Sequence, residues 1–148
     1  MAVAQGIEPG WIYHHSQFYR DQSGELKAKF LLVLATSTSD ELVARVLTSK
    51  ATGRRKDPPC FHGAPYPAYY LGNLNDTLPR ETWVDLRGLD DFDKQVLDAF
   101  LADGIIEPVT ELSQNEFLNV LDCVASAEDT TRYQEALMRD LRADIASG

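Results

Sequence analysis

The chain has 148 residues, a formal net charge of −9, and 44% hydrophobic against 25% charged residues. That is about one domain, long enough to bury roughly two-thirds of its unfolded surface, and the composition excludes wholesale disorder, collagen-like rods and coiled coils. The longest apolar run, residues 30–35, is far short of the roughly 20 residues that span a bilayer. No charged segment leads into an apolar one at the start, so neither a leader nor membrane association is expected. Cys60 and Cys123 are the two cysteines. They are too few for a disulfide scaffold, and a reducing cytoplasm is the expected setting. Charge is uneven: residues 1–60 carry eight Lys/Arg and six Asp/Glu, residues 61–148 six and seventeen. Such asymmetry marks either an interaction surface or a solvated acidic helical face.

The first part of the chain reads as short strands and turns. Residues 10–15 are aromatic and β-prone after a Pro-Gly breaker. Gln17, Phe18 and Tyr19 lead into the turn cluster 21–24. Residues 29–35 form a continuous apolar run, the pattern of a strand buried on both faces. A polar turn at 36–40 separates it from the next strand, 42–49, so an antiparallel meander is expected. Residues 50–68 change character and have no regular period. They open with a basic stretch and continue through Pro58, Pro59, Cys60 and His62, and a loop this long is functional or disordered. Strands resume at 68–71 and 82–87 around a turn region at 73–79.

After Leu89 the period becomes helical. Asp90 or Asp91 caps a first helix with Phe92, Val96, Leu97, Phe100 and Leu101 on its apolar face and Gly104 at its end. Residues 105–109 are short and extended. Ser113 and Glu116 form a capping box, with Leu112 and Phe117 at the positions of a hydrophobic staple. A last helix starts near Asp129 and presents Tyr133, Ala136, Leu137, Leu141 and Ile145. The whole predicts a single α+β domain over 1–148: a small antiparallel β-barrel in 9–88, then about three helices in an acidic portion, 89–148.

Few conventional chemical motifs are present. His14, His15 and His62 with Cys60 are the soft ligands of the β half, but Cys60-x-His62 is not a zinc-finger spacing and no second pair accompanies it. His14 and His15 face opposite sides of a strand. Neither a metal nor a cofactor is expected. There is no Gly-x-Ser-x-Gly elbow, and neither glycine-rich phosphate loop is present. Cys60 with His62 as nucleophile and base is a weaker idea than a packed thiol. The basic segment says more. Lys27 and Lys29 enter the buried strand, while Lys50, Arg54, Arg55 and Lys56 follow the Thr48-Ser49 end of its neighbour. On a meander these share one edge, with Tyr66, Tyr69 and Tyr70 at hand. Cations hold phosphates and aromatics stack unpaired bases. A solvated turn also accounts for such cations.

The residue order resembles the MazF/PemK-type toxins of bacterial toxin–antitoxin systems over roughly residues 9–88. Gly10-Trp11-Ile12 resembles their opening Gly-x-Ile strand. The run from Lys29 to Leu34 resembles their Arg-Pro-x-Val-Val-Leu segment. Leu47-Thr48-Ser49-Lys50 resembles a strand end reading Thr-Ser or Thr-Thr, and residues 82–86 resemble a later strand in which a hydroxyl or Val precedes an Asp. The resemblance implies an SH3-like barrel and metal-independent cleavage of single-stranded RNA, by attack of a ribose 2′-hydroxyl on its own phosphate. Lys29 stands at the family's catalytic Arg and Thr48 at its catalytic hydroxyl. Lysine lacks the bidentate guanidinium fork, so Arg54 or Arg55 is the candidate to supply it from the loop, and His62 is a spare acid or base. Lys27, Ser49, Lys50, Arg55, Lys56 and Tyr69 are then candidate RNA contacts. An acidic antitoxin protein and a homodimer are the implied partners. The acidic portion is either a core-completing layer or an internal mask over the basic loop. The competing reading is a non-enzymatic protein-interaction module on the same barrel.

Overall fold

The computed structural model describes residues 6–39, 41–74, 78, 80–88 and 91–148. Asp40 in the polar turn, much of the 73–79 turn region, and Asp90 as a helix cap lie outside the described residues.

Among the described residues the chain is α+β, with eight strands and three helices. The expected meander is β1 (Trp11–Arg20), β2 (Leu26–Thr36) and β3 (Glu41–Thr48), paired antiparallel in sequence. The β1–β2 turn is closed by Asp21, whose Oδ1 accepts from the Ser23 hydroxyl and from the Ser23 and Glu25 amides. Gly24 takes φ +82 there, a conformation that side chains disfavour. Four shorter strands follow: β4 (Cys60–Phe61), β5 (Ala68–Gly72), β6 (Thr82–Asp85) and β7 (Phe92–Asp93). β6 continues the sheet beyond β3, with Leu47 opposite Val84 and Thr48 opposite Trp83.

Two expectations are corrected. The sheet runs β4-β5-β6-β3-β2-β1-β8, with β7 beside the start of β3, and among the described residues it does not close into a barrel. Secondly, the extended piece after the first helix is a full strand, β8 (Ile106–Glu111), that returns to pair with β1. The β portion therefore does not end at residue 88, because β1 has a free edge that a later strand must cover.

Helix α1 (Lys94–Ala102) is capped by Asp93, whose carboxylate accepts from the Gln95 and Val96 amides. Phe92 is consequently strand, not helix. Helix α2 (Gln114–Ala125) has Ser113 as its cap, accepting from the Glu116 amide at 3.3 Å. The Glu116 carboxylate is engaged elsewhere, accepting from the Tyr69 hydroxyl at 3.0 Å. Helix α3 (Arg132–Ser147) starts at Thr131, where Thr131 and Gln134 form a reciprocal capping box.

The apolar run of β2 is buried on both faces, as its pattern predicts. Leu32 and Leu34 belong to a large cluster with Val43, Val84, Phe117, Val120, Leu121 and Met138. Val33 belongs to a smaller one with Tyr13, Leu42, Ala44, Leu97 and Ile106. Helices α2 and α3 thus cover one face of the sheet and α1 the other. On α3 the buried side chain is Met138, while Tyr133 is 47% exposed. Leu137, Leu141 and Ile145 of the expected stripe pack against the same cluster as Met138, whereas Tyr133 and Ala136 are exposed and Met138 takes the central position.

Candidate functional site

Antiparallel pairing sets the site. Leu31 lies opposite Val46, and that register carried two residues outward sets Lys29 opposite Thr48. There the start of β2 and the end of β3 open into a cavity of about 450 Å³, with Lys29, Thr48, Ser49, Lys50, Arg80 and Thr82 in its walls. Tyr19 and Phe30 add aromatic surface, and the Lys29 ammonium stands 5.8 Å from the centre of the Tyr19 ring. The Thr48 hydroxyl oxygen accepts from the Lys50 amide at 3.2 Å, which fixes its orientation and leaves its own proton to donate. Thr82 is oriented in turn by donating to the Arg80 carbonyl at 3.0 Å. Among the described lining residues, three carry positive charge and none carries a carboxylate or an imidazole.

The other residues named from the sequence go to different places. Lys27 sits over its own turn, 3.7 Å from Asp21 and 3.6 Å from Glu25. Arg54 turns toward Tyr66, its guanidinium 4.6 Å from the ring centre, and donates to the Lys50 carbonyl at 2.9 Å. Arg87 approaches the same ring at 5.5 Å while forming a bidentate pair with Asp85. Burial works to raise the Asp85 carboxyl's pKa, but the Arg87 side-chain and backbone donors outweigh it and hold it below the usual carboxylate value. Arg55 stacks on Phe61 at 4.6 Å, and its carbonyl accepts from the buried Trp83 indole at 2.8 Å. Lys56 pairs with Glu81 at 2.7 Å, a contact that raises the lysine's pKa and lowers the carboxylate's. Arg54 as the catalytic guanidinium is thus corrected: it is held in a cation–π stack on Tyr66 and does not line the groove with Lys29. Tyr69 is corrected as well. It is 4% exposed in the core, so its ring has no free face for a base, and burial together with Glu116 pushes its pKa up to about 12.

His62 belongs to neither group. Its Nε2 lies 3.2 Å from Cys60 Sγ, and Cys60 is joined to Cys123 by a disulfide. The expectation of unpaired, packed thiols is corrected: β4 packs against α2 and brings together two cysteines 63 residues apart. Cys60 is accordingly no nucleophile in this state. Among the described ion pairs none joins residues 91–148 to residues 50–57.

Sequence reasoning missed Tyr19, Phe30, Arg80 and Thr82. The β3–β6 pairing is the signal that brings the last two to Thr48, and it exists only once the sheet is formed. The structure thus defines an open antiparallel α+β sheet with a cation- and hydroxyl-lined groove at the β2–β3 end. No protein-family model, curated protein or solved structure matches the chain. Among the described residues no helix is long and apolar enough to cross a membrane.

Proposed function

We propose that the chain is a toxin-like endoribonuclease whose β2–β3 groove grips single-stranded RNA and cleaves it without a metal. One observation carries this reading: Lys29, Thr48, Ser49, Lys50 and Arg80 line a single open groove free of carboxylates among its described residues. Phosphate binding needs that combination of cations and hydroxyl donors. The antiparallel β1–β2–β3 meander supports the likeness to the MazF/PemK-type toxins, on a sheet that is open among the described residues. An acidic antitoxin, a homodimer and a cytoplasmic location belong to the same proposal.

In the step proposed, a ribose 2′-oxygen bonds to the adjacent phosphorus and the bond to the 5′-oxygen breaks. Lys29 stabilises the charge gathering on the non-bridging oxygens and protonates the leaving oxygen; Thr48 donates to the same phosphate. Lys50 and Arg80 hold flanking phosphates, and Tyr19 offers a face to a base. The 2′-hydroxyl proton leaves to water or hydroxide, because among the described lining residues there is no imidazole or carboxylate to take it. The rate should therefore rise about tenfold per pH unit across neutrality, rather than follow a bell-shaped profile.

The test uses purified protein, reduced and disulfide-bonded in separate arms, with single-stranded RNA in EDTA. Fragments ending in 2′,3′-cyclic phosphate are expected, and Lys29→Ala should slow their formation by about 10²–10³-fold, the cost typical of losing one charge-stabilising donor. Intact RNA with the enzyme in excess overturns the reading. A separate feature favours the protein-interaction alternative: a cavity of about 740 Å³ between the start of β1 and helices α2 and α3, lined by Trp11, Leu112, Phe117, Leu141 and Ile145. That alternative gains if RNA is neither cut nor bound.

A further inference from the structure

Cys60 and His62 lie at i and i+2 around the short edge strand β4. In extended chain, alternate residues share a face, so both can be directed at α2, which contributes Cys123. Gly63 permits the tight path that follows: a Cβ built there would fall 2.5 Å from the Phe61 ring. The three ligand atoms, two sulfurs and one imidazole nitrogen, all lie within 4.8 Å of one another. Cys123 is buried, Cys60 half-buried and His62 exposed, so the cluster reaches from the core to solvent. A structural disulfide has no need of an imidazole against its sulfur.

We propose that Cys60, His62 and Cys123 form a thiol-gated site for a borderline-soft divalent cation, with Zn²⁺ the best match. The disulfide is its closed state. A low-molecular-weight thiol opens it: the Cys60–Cys123 bond breaks, both sulfurs become thiols, and two reductant molecules are oxidised to their own disulfide. The cation then binds as both cysteine thiols release protons to solvent, and the neutral His62 imidazole joins through Nε2. Two thiolates and an imidazole are the donors that zinc favours, with water in the fourth position on the exposed side. Tetrahedral coordination at the usual bond lengths sets sulfur–sulfur at roughly 3.7 Å and sulfur–nitrogen at roughly 3.5 Å. The His62–Cys60 separation of 3.2 Å is already near the second figure, and Cα atoms 5.8 Å apart leave room for the sulfurs to part to the first. The inference is independent of the RNA reading, because none of the three residues lines the groove.

The test is a Co²⁺ titration of full-length protein reduced with a phosphine, desalted without oxygen, and checked for two titratable thiols. A single Co²⁺ should bind, with visible ligand-field bands and sulfur-to-metal charge transfer, and Zn²⁺ should displace it. The disulfide form should show neither band. His62→Gln, a change at an exposed position, should weaken Co²⁺ binding by roughly tenfold or more and shift the bands. Fully reduced, folded protein showing no cobalt bands with Co²⁺ in excess overturns the proposal. So does an unchanged affinity and spectrum in His62→Gln, which would leave a plain dithiol.

Discussion

Three histidines in one chain end in three physical situations. His14 is half-buried in β1, its ring 5.0 Å from that of Phe30, a wall residue of the groove. His15, its neighbour, is buried between the edges of Phe18 and Phe100. Burial, with a smaller contribution from His14, lowers its pKa below the ordinary imidazole value. A buried neutral imidazole must gain a charge in acid, so its contribution to stability is complete above the unfolded pKa of about 6.5. That contribution is lost as pH falls from there through the lowered folded value. His15→Phe should flatten the stability profile in this window, as measured by denaturant midpoints at a series of pH values. The opposed facing of the two residues was legible, because strand alternation is a local rule. The place of His62 was not, since Cys123, the disulfide partner of its neighbour Cys60, arrives from a helix far along the chain. Lys29 and Thr48 were legible as a pair for the opposite reason: two long adjacent strands joined by a short turn admit few registers.

Helix starts show how far side-chain chemistry can be read at the level of an element. Ser113 was found because Ser-x-x-Glu is a local signature, yet the structure uses half of it, since Glu116 turns to Tyr69. At α3 the reciprocal box falls on Thr131 and Gln134, two residues past the expected start near Asp129. Acidic residues at 128 and 129 imitate a cap, but Asp129 instead accepts from the Gly88 amide at 3.0 Å. Thr131→Ala should lower stability by about 1 kcal/mol, the usual cost of losing a capping hydroxyl, read as a lower urea midpoint at constant slope. The disulfide acts on a larger element. It closes a loop of 63 residues, and Cys60→Ser should cost about 4 kcal/mol by the chain-entropy relation. An unchanged urea midpoint in oxidised wild type and Cys60→Ser contradicts that assignment. The β8 return was illegible, because a six-residue extended piece carrying Pro108 declares no partner until β1 presents a free edge.

Across the whole molecule, charge and topology work against each other. A net charge of −9 repels nucleic acid at long range, whereas the groove concentrates Lys29, Lys50 and Arg80. Binding should therefore depend on salt as a three-phosphate contact does. The logarithm of affinity for single-stranded RNA should fall against the logarithm of salt with a slope of about −2, and a flat dependence rules out phosphate contacts by these three cations. The α+β class was legible from the change of period after residue 89, and the continuous apolar run announced a strand covered on both faces. Closure of the sheet was not legible, since it depends on whether two distant edges meet. The claim that the β2–β3 groove is the nucleic-acid site is tested most directly by amide NMR shifts on adding a short RNA whose 2′-hydroxyls are methylated to prevent cleavage. Shifts should centre on residues 28–30, 47–50 and 80–82. Shifts confined to the Arg54–Tyr66–Arg87 stack or to the Trp11–Phe117 cavity, or none with RNA in excess, contradict it.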